Sequence, residues 1–152
     1  MNRSRRTLLK AASFLAGVAL GGGMLRSVFA ADWNAAAFDA VDINGAMKGI
    51  GVAAATFSKD IEIQVPQIAE NGAVVPIQVT SRIPNTRFIA ILVEKNPFPL
   101  IAQINFLNGA EGYVSTRIKM GESSNIKAVV QADGKFYSAS KDVKVTIGGC
   151  GE

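Results

Sequence analysis

Beyond Thr56 the apolar residues of this 152-residue chain recur at every second position, in runs of a length that suits strands. Ile61, Ile63 and Val65 alternate with polar neighbours, and Val75, Ile77 and Val79 do the same. Phe88 to Val93 is almost continuously apolar, the pattern of a strand covered on both faces. Leu100 to Phe106 follows. Val114, Thr116, Ile118 and Met120 then oppose Tyr113, Ser115, Arg117 and Lys119. Ile126, Ala128, Val130 and Ala132 form another inward set, and Val143, Val145 and Ile147 the last. The punctuation agrees with this division. Asn71-Gly72, Asn108-Gly109 and Asp133-Gly134 are turn dipeptides, and Asn96-Pro97-Phe98-Pro99 stops a strand. About seven short strands at this spacing predict a mainly β chain, an immunoglobulin-like antiparallel β-sandwich. A single Cys rules out a buried intrachain disulfide, so the core must hold by packing alone.

The chain before Thr56 obeys a different period. WNAAAFDAVDINGAMKGIG reads as one N-terminal helix from Ala35 to Lys48: alanines favour it, Phe38 and Val41 share a face, and glycines end it. The first 30 residues read as a targeting segment. Ser4-Arg5-Arg6-Thr7-Leu8-Leu9-Lys10 has the form of a twin-arginine signal, followed by an apolar stretch from Ala11 to Leu25 that glycines interrupt. That stretch is short for a membrane span. An ordinary secretory signal or an uncleaved anchor is the competing reading. Val28-Phe29-Ala30 offers a cleavage site and a mature start near Ala31. The expected organisation is therefore a twin-arginine signal peptide over 1–30, a helix and sandwich over 31–147, and a C-terminal arm over 148–152. The expected location is the periplasm. The leader holds five basic residues (Arg3, Arg5, Arg6, Lys10, Arg26) and no acidic one, so 16 less 5 leaves 11 basic against 12 acidic residues after it. The formal charge falls from +4 for the whole chain to −1, without the basic footprint of a nucleic-acid binder.

The residue inventory excludes several chemistries. With no His, the commonest general base, the Ser-His-Asp arrangement and most transition-metal sites are missing. One Cys cannot form a CxxC redox pair. Asp60, Glu62, Glu70 and Glu94 fall at strand edges and turns, where a carboxylate is ordinarily solvated surface. Gly49-Ile50-Gly51 follows a helix and does not open one, so it is no phosphate loop. The sequence predicts a chain that is not an enzyme and needs no cofactor or metal.

Cys150 stands apart from all of this. It lies three residues beyond Ile147, flanked by Gly148 and Gly149 before it and Gly151 after it. Three residues place the sulfur about 10 Å past the strand end. Glycines make such a tether flexible and thin enough to thread into a cleft. Glu152 and the terminal carboxylate disfavour a thiolate by like-charge repulsion, and the tail has no Lys or Arg to offset them. The thiol is accessible but not self-activated, which suits a group worked on by other proteins. An intermolecular disulfide in a structural or interaction domain, a redox-sensing thiol and a chance exposed thiol remain alternatives. Lipid attachment does not fit, because the Cys neither follows the leader nor stands fourth from the end.

In this order, the twin-arginine leader, the N-terminal helix, PQIAENGAVVPIQV (Pro66 to Val79), VEKNPFP (Val93 to Pro99), TRIKM (Thr116 to Met120) and VKVTIGGCGE resemble the SoxY family. These are the sulfur-carrier subunits of bacterial thiosulfate-oxidising systems, and they end in a GGCGG-type motif. The resemblance implies a non-catalytic covalent carrier, with Cys150 as attachment point and Gly148, Gly149 and Gly151 as tether. It also implies partners: a SoxZ-like small β-sandwich subunit in a heterodimer, a haem c enzyme that conjugates thiosulfate to the Cys, and a hydrolase that releases sulfate. No nucleic acid and no membrane belong to that picture. Glu152 departs from the family pattern, which has Gly there. That bears on how the terminus fits a narrow partner channel and leaves the chemistry of Cys150 untouched.

Overall fold

The computed structural model describes residues 34–107 and 109–146. Residues 1–33, Asn108 and residues 147–152 lie outside the described residues, and with them the expected signal segment over 1–30 and the expected arm over 148–152. Among the described residues two helices precede nine strands: α1 (Ala35–Phe38), α2 (Ile43–Gly49), β1 (Thr56–Phe57), β2 (Ile61–Gln64), β3 (Ile68–Ala69), β4 (Val75–Ser81), β5 (Thr86–Val93), β6 (Leu100–Asn105), β7 (Tyr113–Ile118), β8 (Ser124–Ala132) and β9 (Lys135–Val145).

The strands form two sheets. The larger runs β1-β9-β8-β5-β6, with β3 also on β9, and the smaller runs β2-β4-β7. Facing side chains of the two sheets make the principal core, including Ile63, Ile77, Val79, Ile89, Ile91, Ile118, Ile126, Val130 and Val143, and Met120 just past β7 joins it. The inward set predicted on β8, from Ile126 to Ala132, is buried throughout. On β7 the pattern weakens, with Val114 half-buried and Thr116 exposed, because β7 is an edge of the smaller sheet. The absent disulfide is readily offset. Such a bridge contributes about 2–5 kcal/mol to a small domain, whereas one fully buried aliphatic side chain contributes about 1.5–3 kcal/mol. Among the described residues twelve large side chains are essentially fully buried.

The continuous apolar run of β5 has its explanation in a third layer. Ile89, Ile91 and Val93 face the smaller sheet, while Phe88, Ala90 and Leu92 face the helices and meet Ala37, Ala46, Ile50 and Val52. Phe136 joins this second cluster, its ring centroid 6.2 Å from that of Phe88.

The helical layer corrects the expectation of one helix from Ala35 to Lys48. The helix breaks between Asp39 and Asp42. Asp42 is extended (φ −140°, ψ 160°) and its carboxylate accepts from Gly45 N–H at 2.8 Å, so it starts a new helix where alanine-rich propensity alone would continue the old one. Val41, expected to share a face with Phe38, is consequently 75% exposed, while Phe38 is partly buried against the second cluster. Asn34 caps α1 through Ala37 N–H and donates to the Gly49 carbonyl at 3.0 Å, tying the start of α1 to the end of α2. Helix α2 then closes in a Schellman motif: Gly51 N–H donates to Lys48 O, Val52 N–H donates to Met47 O, and Gly51 takes the left-handed φ of +78°.

One edge of the larger sheet is built from a segment that changes sheets. β1 pairs parallel with the first half of β9 (Thr56↔Tyr137), the chain crosses as β2 to pair antiparallel with β4, and β3 returns to pair parallel with the end of β9 (Ile68↔Lys144). The sandwich is thus antiparallel in its body, with two short parallel bridges at this edge. Pro66, which lacks an N–H, lies between β2 and β3. Lys141 reaches from β9 to the Ile63 carbonyl at 3.3 Å, linking the sheets where β2 has left the edge.

Candidate functional site

The residues predicted to carry the chemistry, Gly148, Gly149, Cys150 and Gly151, lie outside the described residues. The point from which they extend is described. The β8–β9 ladder ends at Ser124↔Val143, and the next residues of β9 are held by other groups. On one side Lys144 N–H donates to Gln67 O at 2.9 Å and Thr146 N–H to Ala69 O at 3.1 Å. The Thr146 hydroxyl lies 3.3 Å from the Glu70 carbonyl and 3.5 Å from that of Ala69. On the other side Ser123 Oγ accepts from Val145 N–H at 2.9 Å and donates to Val145 O at 3.4 Å. Successive amides along a strand point to opposite sides. Lys144, Val145 and Thr146 therefore use three amides in turn, and every one has a partner.

The surrounding loops are tied together at the same end of the sandwich. The Asn96 side chain donates to Lys119 O at 2.7 Å and accepts from Gly121 N–H at 3.1 Å. Met120 N–H donates to Gly72 O at 2.7 Å, and Lys95 N–H donates to Ser124 Oγ at 3.0 Å. The predicted turn at Asn71-Gly72 and the Asn96-Pro97-Phe98-Pro99 stop both belong to this frame. Asp133-Gly134 turns the β8–β9 hairpin at the far end, with positive φ at both residues.

Among the described residues no group of three or more His, Cys, Asp or Glu is placed to hold a metal ion. No helix among them is long and apolar enough to cross a membrane. The four carboxylates singled out from sequence are scattered. Asp60 meets Ser58 at 3.3 Å, Glu62 pairs with Arg82 at 2.6 Å on the surface, Glu94 stands 3.9 Å from Lys127, and Glu70 is exposed. Nothing brings any two of them together. An open polar cleft lies at the opposite end of β9, among Arg82, Asn85, Arg87, Glu111 and Asp133, where Asn85 donates to Asp133 at 3.0 Å.

Sequence reasoning ran the last strand to Ile147, which lies outside the described residues, whereas β9 ends at Val145; it also missed Ser123, Thr146 and β3 as anchors there. A serine 22 residues before its partner carries no local signal, and two-residue parallel pairing leaves no periodicity to read.

The profile of the family described as "Sulfur oxidation protein SoxY" matches residues 47–150. Among solved structures, the sulfur carrier protein SoxY from Chlorobium limicola f thiosulfatophilum is similar at a TM-score of 0.61 and 40% identity, over 66% of this chain and 92% of that one. A superoxide reductase from Nanoarchaeum equitans is similar at 0.49 and 13% identity, over 59% and 100% of the two chains. The superoxide reductase (neelaredoxin) from Archaeoglobus fulgidus is similar at 0.45 and 14%, over 55% and 86%. A search of curated proteins returns no match. Since the profile spans well over half of the sequence and runs to the Cys itself, the chain belongs to the SoxY family of sulfur oxidation proteins.

Proposed function

We propose that the protein is a covalent carrier of sulfur intermediates in thiosulfate oxidation, holding them on the thiol of Cys150 and presenting them to partner enzymes. The observation that carries this reading is the extent of the family match, which runs from Met47 to Cys150 and so includes the only thiol in the chain. The Chlorobium protein, described as a sulfur carrier, supports it. The anchoring of β9 through Thr146 supports it as well. Only Ile147, Gly148 and Gly149 separate that anchored residue from Cys150, a span of about 14 Å if extended.

The proposed chemistry belongs to the partners. A haem c enzyme removes two electrons as the Cys150 sulfur bonds to the sulfane sulfur of thiosulfate, releasing one proton and leaving Cys–S–S–SO3⁻. A hydrolase then adds water across the terminal S–S bond. Sulfate and a proton leave, and a persulfide stays on Cys150. The carrier contributes a nucleophile, reach and a narrow backbone. Gly148, Gly149 and Gly151 add no side chain that would obstruct a channel. We further propose that the mature chain begins near Ala31, reaches the periplasm by the twin-arginine route, and forms a one-to-one heterodimer with a SoxZ-like small β-sandwich subunit.

Intact-mass measurement of mature protein incubated with thiosulfate and the conjugating enzyme tests this. The wild type is expected to gain the thiosulfonate on Cys150, and Cys150→Ser to gain nothing and to stop thiosulfate-dependent turnover. A Cys150→Ser protein that still acquires sulfur overturns the reading. So does a native extract in which the thiol is found only as a stoichiometric disulfide dimer.

A further inference from the structure

We propose that Ser123 is a positioning residue, whose hydroxyl fixes the point from which the Cys150 arm departs; the functional part of this inference rests on the carrier reading above. Its basis is the way the last strand ends. Past Val143 the β8 backbone turns away, and β9 loses its regular neighbour on that side. A single side chain replaces it. Ser123 Oγ takes Val145 N–H at 2.9 Å and gives its own proton to Val145 O at 3.4 Å, reproducing the donor and acceptor that a paired strand residue would offer. The opposite side is held by β3, which is only two residues long, with Ala69 buried in the principal core and Ile68 58% exposed. A two-residue bridge paired on one edge, with one of its two side chains in solvent, frays more readily than a full strand. With Ser123 in place, residues 144–146 are gripped from both sides. Without it their backbone is held by the 67–70 segment alone, with only the partly buried Val145 side chain against the core, and it follows that segment when it moves.

The consequence is a change of tether length. The arm from Thr146 to Cys150 spans four residues, and an arm starting from Val143 spans seven. Effective concentration at a partner's site falls roughly as the three-halves power of tether length, so this retreat lowers it by about 2-fold. A fixed departure point therefore confines the thiol to a smaller volume without adding any contact to the arm itself.

The only native thiol makes the test direct. A nitroxide on Cys150 and a second on Lys135→Cys place labels at the arm and at the start of β9, whose 11 residues span about 36 Å. Distance distributions are compared in the full mature chain for Ser123, Ser123→Ala and Ser123→Thr. We expect a broadened distribution for Ser123→Ala, and the parent width for Ser123→Thr, which keeps the hydroxyl. Amide exchange at Val129 and Val130 monitors the core and is expected to stay unchanged in both. In parallel, with Lys135 intact, kcat/KM for conjugation of thiosulfate to Cys150 is expected to fall by about 2-fold in Ser123→Ala, through KM for the carrier, and to recover in Ser123→Thr. Equal distributions for Ser123 and Ser123→Ala overturn the positioning role and leave the carrier reading intact. Failure of the wild type to gain any adduct overturns the carrier reading, while the distance measurement still decides whether Ser123 holds the arm.

Discussion

At the scale of single residues, two glycines near each other in sequence perform unrelated tasks. Gly51 supplies the left-handed turn that ends α2. Gly49 instead makes room: a Cβ there would stand 2.5 Å from the Ala37 Cα and 2.7 Å from its N and Cβ. The obstacle is backbone, so it cannot swing aside. Alanine is the better helix former by about 1 kcal/mol in an open helix, but this gain is outweighed when the two helices must separate. Overpacking of this kind costs about 1–3 kcal/mol, and Gly49→Ala is expected to lower stability by that order in urea unfolding. Unchanged or raised stability would mean that α1 and α2 do not pack this closely. The sequence showed that glycines close the helix. It could not show that one of them is also the floor on which Ala37 rests, because that contact joins two segments whose crossing depends on the break at Asp42. Ser123 was illegible for a similar reason. Its partner is remote, and serine in a polar loop is unremarkable by composition.

At the scale of elements, strands were legible and helices only partly so. A strand buried on one face writes itself as alternation, and β2, β4 and β8 do so plainly. β5 wrote a continuous apolar run because it lies between two layers, and that too was readable. The helical segment misled because propensity sums over a window, whereas a cap acts at one point. Asp42 competes locally for the Gly45 amide and wins, dividing a favourable alanine stretch in two. Asp42→Ala is therefore expected to cost about 1 kcal/mol, within the usual 0.5–2 range for a lost N-cap. The loss should concentrate in the helical layer. Amide exchange at Ala46, which bonds the Asp42 carbonyl, is expected to quicken more than exchange at Val129 in the sheet beneath. Equal acceleration at both would mean that helices and sheet open together, and the cap would then support the whole core. The parallel bridges β1 and β3 were invisible for a different reason. Two residues give no period, and their pairing is decided by where the edge segment crosses between sheets.

At the scale of the whole molecule, the same lone Cys that marks the proposed arm also decides when the chain can fold. No intrachain disulfide is possible, and the two apolar clusters that hold the sandwich form by packing alone. A core of this kind needs no oxidising compartment to be completed. Folding in the reducing cytoplasm is thus chemically open to it, as the proposed twin-arginine route through Arg5-Arg6 requires. Lysine retains the positive charge of each arginine but not its planar fork of donors, so a double substitution separates charge from recognition. Arg5→Lys with Arg6→Lys is expected to leave a folded precursor in the cytoplasm, with its leader attached and its sandwich protease-resistant, while the wild type yields mature protein beginning near Ala31 in the periplasm. Fractionation with N-terminal sequencing reads both outcomes. Normal export of the double variant would rule out the twin-arginine route. Accumulation of an unfolded, protease-sensitive precursor would show instead that the sandwich forms only after crossing, and that the disulfide-free core is unrelated to how the chain is exported.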